Sequence, residues 1–321
     1  MIRSNNYTIF GIHSTAERYS WAAYHFFVLL SSLIGDTLIL LATVKKDAFK
    51  LNKQIVTVIQ YIAVSDLAFA LTVVLPGALS LIANTWVLGG AMCSATVSLA
   101  YFIYLAGMSL IAVLTTSKFL LLKDPLRSAN LTKKTAHQIC SIALIPSLTV
   151  PISMLIVDKD DVGFNYITYN CKYWFRADIW KKVVPTLSIL TMFIPNIVII
   201  ATTIPTLVIA KASARRVGGS VPWQGTMAVA LTAVVYCIST LPLFVFYIGK
   251  DFANQDPEST FQFHYYRISF FMSLINIMSN FYIYAMTIRS FRRFLFSKIL
   301  SNLTIFSRIS LNMTSSTGRD E

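Results

Sequence analysis

Residues 221–248 read VPWQGTMAVALTAVVYCISTLPLFVFYI, an unbroken apolar run without a single Asp, Glu, Lys or Arg. A helix needs about 20 mostly apolar residues to cross roughly 30 Å of hydrocarbon, and this run exceeds that length. Six others resemble it: Trp21–Val44, Gln54–Ile82, Ala91–Ser117, Ile139–Val157, Val183–Ala210 and Ile268–Ile288. Soluble helical bundles do not carry apolar stretches of this length. The expected fold is therefore an all-α membrane protein, a seven-transmembrane-helix bundle followed by a short amphipathic eighth helix.

Charge gives the orientation. With the amino terminus outside, the inner segments are Lys45–Lys53, Lys118–Lys134, Lys211–Ser220 and everything from Arg289 onward. They hold 18 of the 27 Lys and Arg residues against four acids, a net of +14. Basic loops resist translocation and attract anionic headgroups, so they stay cytoplasmic. The basicity is a topology signal and calls for no nucleic-acid partner. Residues 1–20 are expected outside as a tail, 21–288 in the seven-helix bundle, 289–300 in an amphipathic helix and 301–321 in a polar, disordered cytoplasmic tail. Asn6-Tyr7-Thr8 is a glycosylation acceptor on the outer side, whereas Asn130, Asn302 and Asn312 face the cytoplasm and stay bare. Met1–Ser20 lacks the apolar middle of a cleavable signal.

Cys93 opens the third run and Cys171 sits in the second outer loop, so the two share an oxidising compartment and a bridge is allowed. Two unrelated thiols are the alternative. Cys140 and Cys237 lie inside apolar runs and read as small buried side chains. Two acids, Asp36 and Asp66, lie at membrane depth, where a carboxylate is costly and points to a functional site. From Phe291 onward, Phe294, Leu295 and Ile299 share one face, with Arg292, Arg293 and Lys298 nearer the other, the pattern of a helix lying in the headgroup plane.

Several short motifs, in order and at consistent separations, resemble the class A, or rhodopsin-like, G-protein-coupled receptors. Trp86-Val87-Leu88-Gly89 precedes Cys93, Gly35-Asp36 stands where the family has Gly-Asn, and Ala63-Val64-Ser65-Asp66-Leu67 resembles its acidic motif in the second helix. Lys118 falls at the Arg of the Asp-Arg-Tyr motif, with Pro125-Leu126 after it. Pro195 and Pro242 match the kink prolines of the fifth and sixth helices. Asn280-Phe281-Tyr282-Ile283-Tyr284 resembles Asn-Pro-x-x-Tyr. The resemblance implies a Cys93–Cys171 disulfide, G-protein coupling through Lys118, Pro125 and Tyr284, and a switch involving Pro195, Tyr236, Thr240, Pro242, Asn280 and Phe281. It also implies a buried ion or proton site at Asp36, Asp66, Asn276 and Asn280, with sodium as the only metal or cofactor to consider. The expected partners are an extracellular ligand, a heterotrimeric G protein, arrestin through the Ser- and Thr-rich tail, and the lipid bilayer, at the plasma membrane.

Departures from the family are equally specific. Ser117-Lys118-Phe119 replaces Asp-Arg-Tyr, which removes the neighbouring carboxylate and the planar fork of Arg. Thr240 stands for the Trp of Cys-Trp-x-Pro, which leaves Tyr236, one turn below, to act as the packing lever. Phe281 replaces the helix 7 proline, Thr203 a helix 5 Tyr, and Gly107 a Ser that completes the sodium site; no Trp stands in helix 4. Two carboxylates in one dry site do not readily both ionise. Asp36 and Asp66 thus share a proton or a sodium ion, or Asp36 is simply protonated and hydrogen-bonded. Ala100 occupies the place of the ammonium-binding Asp of amine receptors, and the seventh run has no Lys for retinal. The outer acids Asp158, Asp160, Asp161, Asp178, Asp251, Asp256 and Glu258 suit either a basic peptide or a solvated loop face. Tyr101 and Tyr104 read as packing or as pocket lining. A coupling receptor, a receptor-shaped protein that couples poorly, and a transporter remain as readings. Against transport stand the scarcity of embedded charge and of paired interrupted helices. No nucleophile–base or metal-ligand cluster suggests an enzyme.

Overall fold

The computed structural model describes residues 15–45, 48–49, 51–124, 132–156, 162–165, 167–173, 178–217, 221–253 and 260–297. Seven helical segments within them are long and apolar enough to cross a membrane: Thr15–Val44, Lys53–Ala83, Gly89–Lys123, Lys133–Met154, Lys182–Ala212, Trp223–Phe246 and His264–Thr287. They are called the first to seventh spans below. Their outward residues, such as Phe27, Ile34, Ile142 and Ile204, are apolar and exposed, as a lipid-facing surface requires. The third span is the axis of the bundle, packed by the second, fourth, fifth and sixth. The first span closes the ring against the second and seventh, and the sixth sits between the fifth and seventh.

Helices overrun the apolar limits in several places. The first helix begins at Thr15 rather than Trp21, so the stretch read as an outer tail supplies its first turn and a half. Glu17 in that first turn favours the positive end of the helix. It also holds Arg267 of the seventh span through an ion pair of 2.6 Å. The fifth helix runs Asp178–Val217 and the sixth Val221–Ala253, so most of the third inner loop is helical. The second span carries a π-turn at Ala70–Val74 just before Pro76. The extra residue shifts the helical register, which accommodates a proline that lacks a backbone donor.

The second outer loop departs from an all-helical picture. It contains an antiparallel hairpin, β1 Val162–Asn165 and β2 Asn170–Tyr173, with Phe164 opposite Cys171. Its turn is closed by Ile167 N–H donating to Asn165 Oδ1 at 2.9 Å. Tyr169, in the left-handed region at φ 53°, sends its hydroxyl to Asn84 Oδ1 at 3.1 Å. Asn84 itself ends the second span in the left-handed conformation, which Asn tolerates better than most residues. A hairpin held in this way delivers Cys171 to the third span.

Beyond the seventh span, residues 289–297 form the eighth helix. Phe291 and Phe294 do not face lipid. Phe291 stacks on Phe49 with centroids 4.9 Å apart and meets Phe281 edge-on at 6.2 Å. Lys45 lies over the Phe294 ring at 5.8 Å. The helix is docked on the bundle by its apolar face, and its exposed Arg292 and Arg293 remain outward. Ile299 and Lys298 lie outside the described residues.

Candidate functional site

The central polar site forms where the first, second and seventh spans meet. Asp36 and Asp66 are both buried. Ser32, one turn before Asp36, donates its hydroxyl to Asp36 Oδ2 at 2.5 Å. Asn280 Nδ2 donates to Asp66 Oδ2 at 2.8 Å. The two carboxyls are close enough for their charges to interact, and the hydroxyl of Tyr284 feels both. Three buried oxygens here, Asp36 Oδ1, Asn276 Oδ1 and Asn280 Oδ1, have no hydrogen-bond donor. Orphaned acceptors gathered around two acids are the donor set of a hard cation or of shared protons. Gly107 of the third span has open space where a Cβ would project. No cluster of three or more His, Cys, Asp or Glu suited to a metal occurs among the described residues.

Beside this site, the seventh span is fitted to the first by a glycine. A Cβ on Gly35 would lie 2.6 Å from Phe281 Cβ and 2.8 Å from its Cγ. Phe281, standing in the motif where proline is usual, thus rests directly on the Gly35 backbone. Its ring meets Phe291, so one side chain links the first span, the seventh span and the eighth helix.

At the inner end, Lys118 is 4% exposed. Among the described residues it has neither an ion pair nor a hydrogen bond. Its neighbour Ser117 accepts from Gln54 Nε2 of the second span at 3.3 Å. The sixth span covers it at Gly225, where an added Cβ would sit 2.6 Å from Leu51 Cδ2 and 3.6 Å from Lys118 Nζ. Higher in that span, Tyr236 is buried with its hydroxyl toward Asn196 of the fifth span, and its carbonyl accepts from Ser239 and Thr240 at 3.1 and 2.8 Å. Two hydroxyls on one carbonyl fix the turn below Pro242, whose own carbonyl accepts from Tyr265 at 3.1 Å. Tyr284 and Thr232 bury their hydroxyls facing one another between the seventh and sixth spans. Pro195 lines an inner cavity with its neighbour Ile194. Asn196 Nδ2 bonds the Met192 carbonyl at 2.8 Å. Thr203 is buried with its hydroxyl unpaired.

On the outer side, Cys93 and Cys171 are joined by a disulfide with Cα atoms 5.5 Å apart. Cys140 and Cys237 are free thiols. Tyr101 and Tyr104 pack against the hydrophobic core of the bundle, and Ala100 packs against a second buried cluster that includes Phe69 and Ile103. Asn6, Pro125 and the phosphorylatable tail beyond Ser297 lie outside the described residues.

The sequence profile described as 7 transmembrane receptor (rhodopsin family) matches residues 35–284. The chain belongs to the rhodopsin family of seven-transmembrane receptors. The match runs from the Gly35-Asp36 pair to Tyr284, the two ends of the polar core just described. No curated protein matches the receptor in sequence. Its family is one of receptors rather than enzymes, and the receptor is a multi-pass membrane protein.

Sequence reasoning about the receptor overlooked four supporting residues. Ser32 had a readable signal, being four residues before Asp36 and so on the same helix face. Gln54, Gly225 and Glu17 act across tens or hundreds of residues and gave none.

Proposed function

We propose that this receptor sits in the plasma membrane with its amino terminus outside and transduces an extracellular ligand to a heterotrimeric G protein. The ligand is neither an amine, since Ala100 supplies no carboxylate, nor retinal, since the seventh span supplies no Lys. The observation that carries the proposal is the covering of Lys118 by Gly225 and Leu51. The side chain placed to meet a G protein is buried in the closed bundle and becomes available only when the inner end of the sixth span moves outward. Pro242 lies inside that continuous helix, where it supplies no backbone donor, which suits a hinge. An arrestin partner and glycosylation at Asn6 belong to the same proposal.

Asp36, Asp66, Asn276 and Asn280 would hold a sodium ion or shared protons in the resting state. Such an occupant would supply positive charge where two carboxyls and three orphaned oxygens converge, which ties the first, second and seventh spans together.

The test is basal G-protein dissociation across the main Gα families in cells with verified surface density, comparing the native receptor with Lys118→Arg. Coupling above an empty-vector control in either form, larger in Lys118→Arg, supports the reading. Silence of both, with normal surface density, would favour a receptor that binds without coupling. Lys118, Thr240 and Phe281 in place of the family's Arg, Trp and Pro speak for that second reading.

A further inference from the structure

Outside the polar core, the inner half of the receptor carries a cavity of about 870 Å³ between the third, fourth and fifth spans. Its floor is one face of the third span: Ser109, Val113, Thr116, Leu120 and Lys123 recur at spacings of three and four. Fourteen residues of α-helix separate Ser109 from Lys123, about 21 Å at 1.5 Å per residue. The cavity is therefore a long trough parallel to the bilayer normal. Ala143 of the fourth span and Val198 of the fifth form opposite walls. The opening is lateral, since Leu120 and Ile194 on its rim are 45% and 62% exposed. At this depth the surrounding solvent is hydrocarbon.

Apolarity alone selects nothing here, because lipid tails are as apolar as the walls. Selection must come from shape and from the mouth. The floor ends at the inner interface in Lys123, an exposed ammonium. Lys133 and Lys134, both exposed, begin the neighbouring fourth span. Asp124 lines the mouth beside Lys123, and the two lysines that begin the fourth span leave this stretch of the inner surface net positive. Basic residues at this level attract anionic headgroups by about 1 kcal/mol each.

We propose that this trough is a binding site for a glycerophospholipid with an anionic headgroup. An acyl chain lies along the third span from Leu120 toward Ser109, and the headgroup rests against Lys123. The inner wall of the trough includes Ser117 and Gln54, whose hydrogen bond adjoins buried Lys118. A bound lipid therefore packs against the segment that places Lys118. Lipid binding itself does not depend on coupling, so it is tested without a G protein.

The experiment is native mass spectrometry of the purified full-length receptor, titrated with equimolar phosphatidylserine and phosphatidylcholine of identical chains, and with cholesterol. The expected result is a phosphatidylserine adduct that persists where phosphatidylcholine is lost. Lys123→Gln should cut that preference about fivefold, the factor corresponding to one lysine near an anionic head. Ala143→Trp should abolish the adduct, and Val198→Trp should do so from the opposite wall if the first variant does not fold. Ile142→Trp, a lipid-facing change outside the trough, should leave it intact. Equal retention of the two phospholipids, displacement by cholesterol, or an adduct indifferent to both wall variants would overturn the proposal.

Discussion

Replacing Gly35 by Ala adds one methyl group, yet the structure makes it a severe change. The new Cβ would fall 2.6 Å from Phe281 Cβ and 2.8 Å from Cγ, against a favourable carbon–carbon separation of about 3.5–4.0 Å. About 1 Å must be recovered. Phe281 Cβ is fixed to the seventh-span backbone, so no rotamer change moves it away. The first and seventh spans must separate, or the Asp36–Ser32 turn must shift. Overpacking of this kind costs about 1–3 kcal/mol, and the rigidity of the contacting atoms puts Gly35→Ala at the upper end. With about 2–4 °C per kcal/mol for a domain of 150–250 residues, the melting temperature should drop by roughly 5–10 °C. The assay is thermal denaturation of the detergent-solubilised receptor, read by the monodisperse fraction remaining after heating. Phe281→Gly removes both contacting atoms, and in that background the added methyl should cost less than half as much, a coupling of about 1 kcal/mol or more in a double-mutant cycle. A Gly35→Ala receptor that melts with the native one, or a penalty unchanged by Phe281→Gly, would refute the contact as the reason for the glycine.

The remaining expectations concern the inner mouth, the buried acids and the outer loop. Gly225→Ala should be tolerated, because the atom it meets is the tip of Leu51 and can rotate. Gly225→Phe should wedge the sixth span away from Lys118 and raise basal coupling up to about tenfold, the effect of about 1.4 kcal/mol on a two-state equilibrium; unchanged basal signalling at equal surface density would count against a steric closure. At the acids, Asp36→Asn should weaken the sodium and pH dependence of receptor activity, whereas Gly107→Ser, which has room for its side chain, should strengthen the sodium dependence without loss of stability. Dose–response curves in sodium against a larger cation decide this, and indifference of both variants would remove the shared site. Cys93→Ala, Cys171→Ala and the double variant should each lose about the same 2–5 kcal/mol and the same fraction of surface expression. An additive double variant would mean that the cysteines act separately.

The membrane-spanning architecture was legible because it follows from a repeated, one-dimensional signal: apolar length and alternating loop charge. What was not legible depends on registers and on contacts between distant segments. Nothing within residues 70–74 announces a π-turn, which adjusts the helix ahead of Pro76 and its missing backbone donor. The first helix starts at Thr15 because Glu17 finds Arg267, whose own position marked only the edge of an apolar run. The eighth helix showed its amphipathic face plainly, but the partner of that face was open. Phe49 lies between the first two spans and has no periodic neighbours to betray it, yet it draws Phe291 inward. Within the polar core, Asp66 and Asn280 were readable as a pair through the family motifs. The orphaned oxygen of Asp36 is a three-dimensional fact that no spacing contains.

The departures from the family pattern are not alike in energetic terms. Phe281 is accommodated by Gly35 and Ser117 accepts from Gln54, whereas Asp36 accepts from Ser32 at one oxygen only and Thr203 buries an unpaired hydroxyl. Lys118 is the charged case. Its side chain is buried with no acceptor for the ammonium among the described residues, and partial removal from water costs a charged group free energy. That cost is borne by the closed bundle. Outward movement of the sixth span would expose Lys118 to water or to acceptors on a partner, relieving it. Under the proposed function, the same substitution that weakens the grip on a G protein, by exchanging a forked guanidinium for a point charge, also lowers the free energy of opening. The two effects oppose one another in agonist-driven signalling but separate in Lys118→Met, which fills similar volume without charge. That variant should stabilise the closed receptor to heat while lowering coupling. A Lys118→Met receptor that melts below the native one would show that the ammonium is held favourably in the closed state and that the account of its cost is wrong.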